Sequence, residues 1–207
     1  NIFDGDLNTK WKFLTTYTYD DKARKKSEVS QTFFQQGNPH ITKSTYHYDQ
    51  KGNLIEIKTF NEVNDLIYKS VMKFDNNGNK IEESEIYADG TINRNEKFKY
   101  DSKNILIESQ QVYKGRMENK SEYIYDNNNR LTDDTWYDPN GVLAGKITIG
   151  YDNSGNQIEY SQLEKDGSYL LNYLYKYKFD NMGNWIERIS SNKGQPYEFC
   201  TRKIEYY

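Results

Sequence analysis

The sequence predicts an all-β protein: an antiparallel meander of about 14 to 16 strands, made from seven hairpin repeats of about 26 residues. The strands are expected to form one large, twisted sheet, open or spiral. Three observations carry this. An aromatic-x-aromatic-Asp tetrad recurs in phase along all 207 residues. Each period holds two turn signals separated by runs of Tyr, Ile, Phe and Thr. Only 35% of the chain is hydrophobic while 15% is aromatic, with 20 Tyr, a composition suited to many half-buried positions rather than a thick core.

The tetrads are Tyr17-Thr-Tyr19-Asp20, Tyr46-His-Tyr48-Asp49, Phe98-Lys-Tyr100-Asp101, Tyr123-Ile-Tyr125-Asp126 and Tyr177-Lys-Phe179-Asp180, with variants ending at Asp75 and Asp152. The seven Asp lie 29, 26, 26, 25, 26 and 28 residues apart. Four continue as Asp-x-x-Gly-Asn, at Gly52, Gly78, Gly155 and Gly183. The Asp caps its own turn and the Gly supplies the left-handed residue that closes it. Mid-period turns are expected at Asp4-Gly5, Asp89-Gly90, Lys114-Gly115, Asn140-Gly141, Asp166-Gly167 and Lys193-Gly194, where Asp-Gly and Asn-Gly suit two-residue hairpin loops. Repeat one (20–36) and the Asn61–Asp65 turn depart from the pattern. Residues 203–207 read as a closing strand. No stretch keeps a helical period, and residues 1–207 read as a single repeat domain.

The register follows if four loop residues come after each Asp. The preceding aromatic then faces an Ile: Tyr48 with Ile55, Phe74 with Ile81, Tyr100 with Ile107, Tyr151 with Ile158, Phe179 with Ile186. On the other face Lys73 meets Glu82, Lys99 meets Glu108, Lys178 meets Glu187, and His47 meets Glu56. Such cross-strand pairs hold antiparallel ladders in register.

Composition removes several functions. A net charge of −3 and a pI of about 5.6 leave no basic footprint for nucleic acid. No apolar run is long enough to span a membrane as a helix. The single Cys200 precludes an internal disulfide and reads as a packed small residue. The opening Asn1, in place of Met, suggests a removed leader or larger N-terminal region.

The repeats resemble those of YD-repeat (Rhs-type) proteins, above all small secreted bacterial versions. The units responsible are Tyr48-Asp49-Gln-Lys-Gly52-Asn53-Leu-Ile-Glu56, Phe74-Asp75-Asn-Asn-Gly78-Asn79-Lys-Ile-Glu82 and Phe179-Asp180-Asn-Met-Gly183-Asn184-Trp185-Ile-Glu187. Many members have shorter periods and Arg after the turn Gly, where Asn predominates here. The Asp101 and Asp126 turns lack the Gly altogether. In large members the repeats enclose a toxic passenger, and seven repeats are too few for that. The resemblance implies an extracytoplasmic (secreted, periplasmic or cell-surface) bacterial module with a structural or binding role.

Candidate chemistry is sparse. An acidic column (Glu56, Glu82, Glu108, Asp133, Glu159, Glu187) invites a calcium reading, but its members lie a full repeat apart and face lysines, whereas calcium loops cluster several acids. The two histidines, His40 and His47, belong to no catalytic motif. Paired carboxylates could hydrolyse glycosides, yet acids recur in every unit and single out none. The expectation is a non-catalytic binding or structural scaffold with no cofactor, whose partner is a protein or a glycan. The best ligand-binding candidates are Trp136, Tyr137 and Trp185, which break the repeat consensus and could stack on sugar rings as a carbohydrate- or cell-wall-binding site.

Overall fold

A computed structural model describes residues 2–3, 11–34 and 37–206; the predicted Asp4-Gly5 turn lies outside them. Among the described residues there are sixteen strands and no helix, and the hydrogen-bonded order is the chain order, an open antiparallel meander. The all-β prediction and the strand count hold. The chain divides into two compact units, Asn1–Lys99 with Gln111–Arg116, and Tyr100–Gln110 with Met117–Tyr207.

The first unit carries β1 (Ile2–Phe3), β2 (Trp11–Tyr19), β3 (Lys25–Phe34), β4 (His40–Tyr48), β5 (Leu54–Phe60), β6 (Leu66–Phe74), β7 (Lys80–Tyr87) and β8 (Ile92–Tyr100) up to Lys99. β9 (Leu106–Tyr113) belongs to both units. The second carries β10 (Arg116–Tyr125) from Met117 on, β11 (Leu131–Tyr137), β12 (Leu143–Tyr151), β13 (Gln157–Glu164), β14 (Tyr169–Phe179), β15 (Trp185–Asn192) and β16 (Gln195–Thr201).

The repeated Asp builds one loop geometry. Asp75 donates its amide to the Asn79 carbonyl at 3.0 Å and accepts from the Gly78 amide at 3.2 Å. That is a three-residue loop ending in a left-handed residue. Its carboxylate Oδ1 takes the amides of Asn77 and Asn79, both at 2.9 Å, and Oδ2 takes the Asn79 side-chain amide at 2.9 Å. Asp49 and Asp152 repeat the side-chain contact with Asn53 and Asn156, each at 2.9 Å. At Asp20 and Asp126 the same oxygen is met by Arg24 and Arg130 through Nε at 2.7 Å. The turns that lack Gly keep the fold: Asn104 and Asn129 stand at φ 63° and 60°, and Ala23 at 59°. Asn tolerates that region; Ala pays for it sterically.

This loop corrects the predicted register. Asp faces the residue four further on, not five, and the preceding aromatic pairs one residue earlier than expected: Tyr48 with Leu54, Phe74 with Lys80, Tyr151 with Gln157, Phe179 with Trp185. The intervening Ile is the extra residue of a β-bulge, after which the ladder realigns. Three of the predicted pairs of the other face are therefore present as drawn: Lys73 with Glu82, Lys178 with Glu187 and His47 with Glu56.

The mid-period turns divide by sequence. Gly90, Gly141 and Gly167 close three-residue loops like the Asp turns, each bonding the carbonyl three residues back at 2.9 Å. So does Asn64, at 3.1 Å, in the turn that looked irregular. Among the described residues the expected two-residue loops occur only at Lys114-Gly115 and Lys193-Gly194, where both residues have positive φ (46° and 78°; 49° and 78°). Asp and Asn in the other turns accept nearby amides and so favour the longer loop, as Asp138 does from Asn140 and Val142 at 2.9 Å. At the chain's end, residues 202–206 are not a strand. Instead the Tyr206 hydroxyl bonds Asp180 and accepts from Asn184 at 2.7 Å.

The two faces of the ladder differ. One holds the acidic column; the other holds the tyrosines of the tetrads and is the tyrosine face below. Met72, 8% exposed, is the one buried hydrophobic side chain among the described residues. Stability therefore rests on ladder hydrogen bonds and on half-buried rows passed from each repeat to the next. Arg24 and Arg130 serve both ends of that handover: each grips its own Asp and lies 4.5 Å from the ring of the next repeat's tyrosine, Tyr48 or Tyr151.

Ala23→Gly relieves the one left-handed Ala and is expected to stabilise the protein by about 1 kcal/mol, read from the urea midpoint. An unchanged or lower midpoint would contradict the loop geometry at Asp20.

Candidate functional site

Four strands of the second unit, β13 to β16, converge on a cleft of about 200 Å³. β14 reads Tyr173-Leu-Tyr175-Lys-Tyr177-Lys-Phe179, and the two-residue period of a strand puts all four rings on the tyrosine face. Across the ladder Tyr177 pairs with Arg188 and Tyr175 with Ser190, and these pair in turn with Cys200 and Glu198 of β16. A bulge in β16 leaves Tyr197 as the extra residue and turns its ring edge-on to Tyr173, with centroids 5.0 Å apart. Tyr177 in turn meets Trp185 at 6.3 Å.

Arg188 is the hub. Its Nη2 donates to Glu198 at 2.7 Å and reaches the Cys200 sulfur at 3.6 Å. The guanidinium lies 5.8 Å from the Tyr175 ring and 5.9 Å from the Trp185 ring. Hydrogen bonding to Arg188 holds the Glu198 carboxyl below its usual range. Burial pushes the Tyr175 and Tyr177 hydroxyls up, and a hydrogen bond with Tyr197 does the same for Tyr173. The lining is thus neutral tyrosines around a self-compensated ion pair. Two polar atoms here are buried without a hydrogen-bond partner: Arg188 Nε and the Ser190 hydroxyl, the latter on a residue 1% exposed. Buried donors left without a partner are costly.

Arg188 occupies a position that varies from repeat to repeat. The eighth residue after each turn Asp is Glu28, Ile57, Glu83, Ser109, Asp134, Tyr160 and Arg188. Glu28 accepts from Lys25 and Tyr46, both at 3.0 Å, while the Lys25 ammonium sits between the Tyr17 and Tyr46 rings at 4.5 and 5.1 Å. Asp134 instead has a buried, unpartnered Oδ1, and burial pushes its carboxyl up.

The three predicted ligand-binding residues do not come together. Trp136 packs its ring over Gly145, where a β-carbon would lie 2.5 Å from Cζ2 of the indole. Tyr137, the next residue, donates its hydroxyl to Glu122 at 2.9 Å, with Lys120 5.7 Å from its ring. Trp185 does not line the cleft but touches Tyr177 and Arg188, which do, and stacks beneath Arg202 at 4.1 Å. On the opposite face, most members of the acidic column have a nearby cation. Lys58 meets Glu56 at 2.9 Å, Lys73 meets Glu82 at 2.8 Å, Lys120 meets Glu108 at 3.2 Å and Lys178 meets Glu187 at 2.8 Å. Lys146 pairs with Asp133, while Glu159 takes the Ser161 hydroxyl at 2.9 Å.

No protein-family model matches the sequence, nor does any curated protein. Among solved structures, a chain of the Photorhabdus luminescens Tc holotoxin pore aligns with 90% of this chain at 14% identity and a TM-score of 0.28. The match covers 14% of that toxin chain. A porin-like protein from Bacteroides uniformis aligns with 97% of this chain and 92% of its own, at 14% identity and a TM-score of 0.43. At such identities and scores these likenesses carry no functional argument.

The Trp136–Gly145 contact has a direct consequence. Gly145→Ala is expected to cost about 2 kcal/mol, since the new methyl also meets the Leu163 carbonyl at 2.9 Å. Gly150→Ala, whose nearest neighbour is the Glu159 β-carbon at 3.2 Å, should cost clearly less. Equal urea midpoints for the two variants would contradict the placement of Trp136.

Proposed function

We propose that this chain is a non-catalytic repeat module of the YD (Rhs) type, acting outside the cytoplasm as a scaffold that binds a partner through its tyrosine face. The observation that carries the binding role is the cleft across β13–β16, walled by Tyr173, Tyr175, Tyr177 and Tyr197. The bacterial and extracytoplasmic parts rest on the tetrad resemblance alone. The non-catalytic part draws on how the acids are used. The turn aspartates are occupied as caps, and hydrogen bonds hold Asp49, Asp75 and Asp152 below their usual range, which makes them poor proton donors near neutrality. Asp134, pushed up by burial, has Tyr123 and Ile147 as its ladder partners rather than the second carboxylate a glycosidase needs.

Photocrosslinking in the source cells tests the reading. Tyr197, 64% exposed, is replaced by benzoylphenylalanine, with the same probe at Ile189 on the opposite face as reference. The expected result is a discrete light-dependent adduct from position 197, absent from position 189, in the envelope or medium fraction. No adduct, adducts of equal yield at both positions, or an adduct confined to the cytoplasm would contradict it.

A further inference from the structure

We infer that the outer edge of β16 is an interface with a second copy of this chain: two β16 strands pair antiparallel about a two-fold axis centred on Cys200. This interface is separate from the cleft and its ligand. Among the described residues β16 ends the sheet order, with β15 on one side and no strand on the other. The ladder settles which backbone groups face inward. Arg202 donates its amide to the Ile186 carbonyl at 3.0 Å, and Cys200 and Glu198 follow at two-residue steps opposite Arg188 and Ser190. The backbone groups of Phe199 and Thr201 therefore point away from β15. Natural sheet edges are guarded by charge, above all by Lys. In five repeats the residue facing the ninth place after the turn Asp is Lys43, Lys69, Asn95, Lys146 or Asn172. On β16 it is Phe199, 62% exposed, facing Ile189, 49% exposed. The edge thus carries an apolar pair where inner strands carry polar heads, the reverse of a capping repeat.

Self-complementarity selects a second β16 as the occupant. Centred on Cys200, the pairing sets Glu198 opposite Arg202 of the second copy on the tyrosine face, twice by symmetry, and Phe199 opposite Thr201 on the other face. Centred on Glu198, it would set carboxylate against carboxylate. Centred on Phe199, it would set Glu198 against Cys200 and Arg202 against Pro196, with no charge matched. Both charged groups have capacity left. Glu198 takes Arg188 on Oε2, and Arg202 gives Nε to the Trp185 carbonyl, which leaves its terminal nitrogens to donate. Pro196, which has no amide, and the bulge at Tyr197 end the pairing at one side. The interface is therefore short, with about four backbone hydrogen bonds and less area than a standard interface. A two-fold axis closes the edge with two copies and, lying normal to the sheet, keeps both tyrosine faces on one side.

Sedimentation equilibrium of the reduced 207-residue chain, followed by oxidative crosslinking, tests the pairing. Cys200 is the built-in reporter, as the chain's one cysteine. At the two-fold centre its two copies stand about 4.5 Å apart at Cα, within the range a disulfide spans. The expected result is a reversible dimer at up to millimolar chain, which copper phenanthroline in air converts to a disulfide-linked dimer. Phe199→Lys, which gives β16 the lysine of β4, β6 and β12, and Arg202→Glu each weaken the dimer about tenfold. Moving the thiol one place, in Cys200→Ser with Thr201→Cys, slows crosslinking about fivefold or more, because the two copies of position 201 lie beyond disulfide reach. Phe199 and Arg202 are exposed, so circular dichroism should show the sheet intact in both variants. A monomer at millimolar concentration would overturn the proposal, and so would a dimer that neither substitution weakens. Crosslinking as fast at 201 as at 200, or an open series of larger oligomers, would overturn it too. Both variants keep the four cleft tyrosines, so failure here leaves the cleft reading standing.

Discussion

A carboxylate that accepts two amides of its own loop governs the rest of this molecule. At Asp75 the acceptors are filled by residues two and four further on, which closes the loop after three residues. The arrangement returns at Asp20, Asp49, Asp101, Asp126, Asp152 and Asp180 in the amide bonds they accept. Three loop residues put the next aromatic and the next Ile out of step, and the bulge after each loop absorbs the difference. From there the two faces sort themselves, tyrosines to one and the Lys–Glu rows to the other. The turn thus sets the register, and the register decides which side chains can meet a ligand.

A sheet with almost no fully buried apolar residue must stay intact by other means. Each strand is held by its neighbours, and the rows of half-buried rings pass from repeat to repeat. Arg24 and Arg130 link consecutive units by a bond to one turn and a stacking contact with the next tyrosine. Individually, exposed ion pairs such as Lys73–Glu82 add little. What they supply is a penalty for slippage, since a one-residue shift would move every charge onto the aromatic face. The cleft follows from the same thinness: polar atoms such as the Ser190 hydroxyl are covered by tyrosines and not by a second layer.

Much of this was legible in the sequence because the repeat is nearly exact and its signals are local. The tetrads, the spacing of the seven Asp and the turn glycines specify an antiparallel meander, and the Lys73–Glu82 and Lys178–Glu187 pairs were readable from it. The bulge was not, because a loop of three residues plus one bulged residue has the same length as the loop of four that was assumed. The Asp20 and Asn61 turns look irregular in sequence because Ala23 and Asn64 reach the left-handed region without a glycine to announce it. The site was less legible. Trp136 and Tyr137 stood out by type, yet one covers Gly145 and the other bonds Glu122. Arg188 was visible only as the cation in an otherwise variable series at the eighth place after each Asp, and its meaning depended on Tyr197, which a bulge re-aims.

Carboxyl-carbon NMR titration of the aspartates tests the account most directly. A carboxylate that accepts hydrogen bonds in the folded state resists protonation, whereas a buried one without partners invites it. Hydrogen bonds, led by those of the Asn side chains at Asp49, Asp75 and Asp152 and by the Arg amides at Asp20 and Asp126, place these five turn aspartates below the ordinary 3.8. Asp134 lies above it through burial. Stability from the turn aspartates is accordingly complete above the unfolded-chain value and lost as pH falls through their lowered folded values. The predicted result is that Asp20, Asp49, Asp75, Asp126 and Asp152 titrate below 3.8 and Asp134 above it. Turn aspartates that titrate at the ordinary value, together with Asp134, would contradict it.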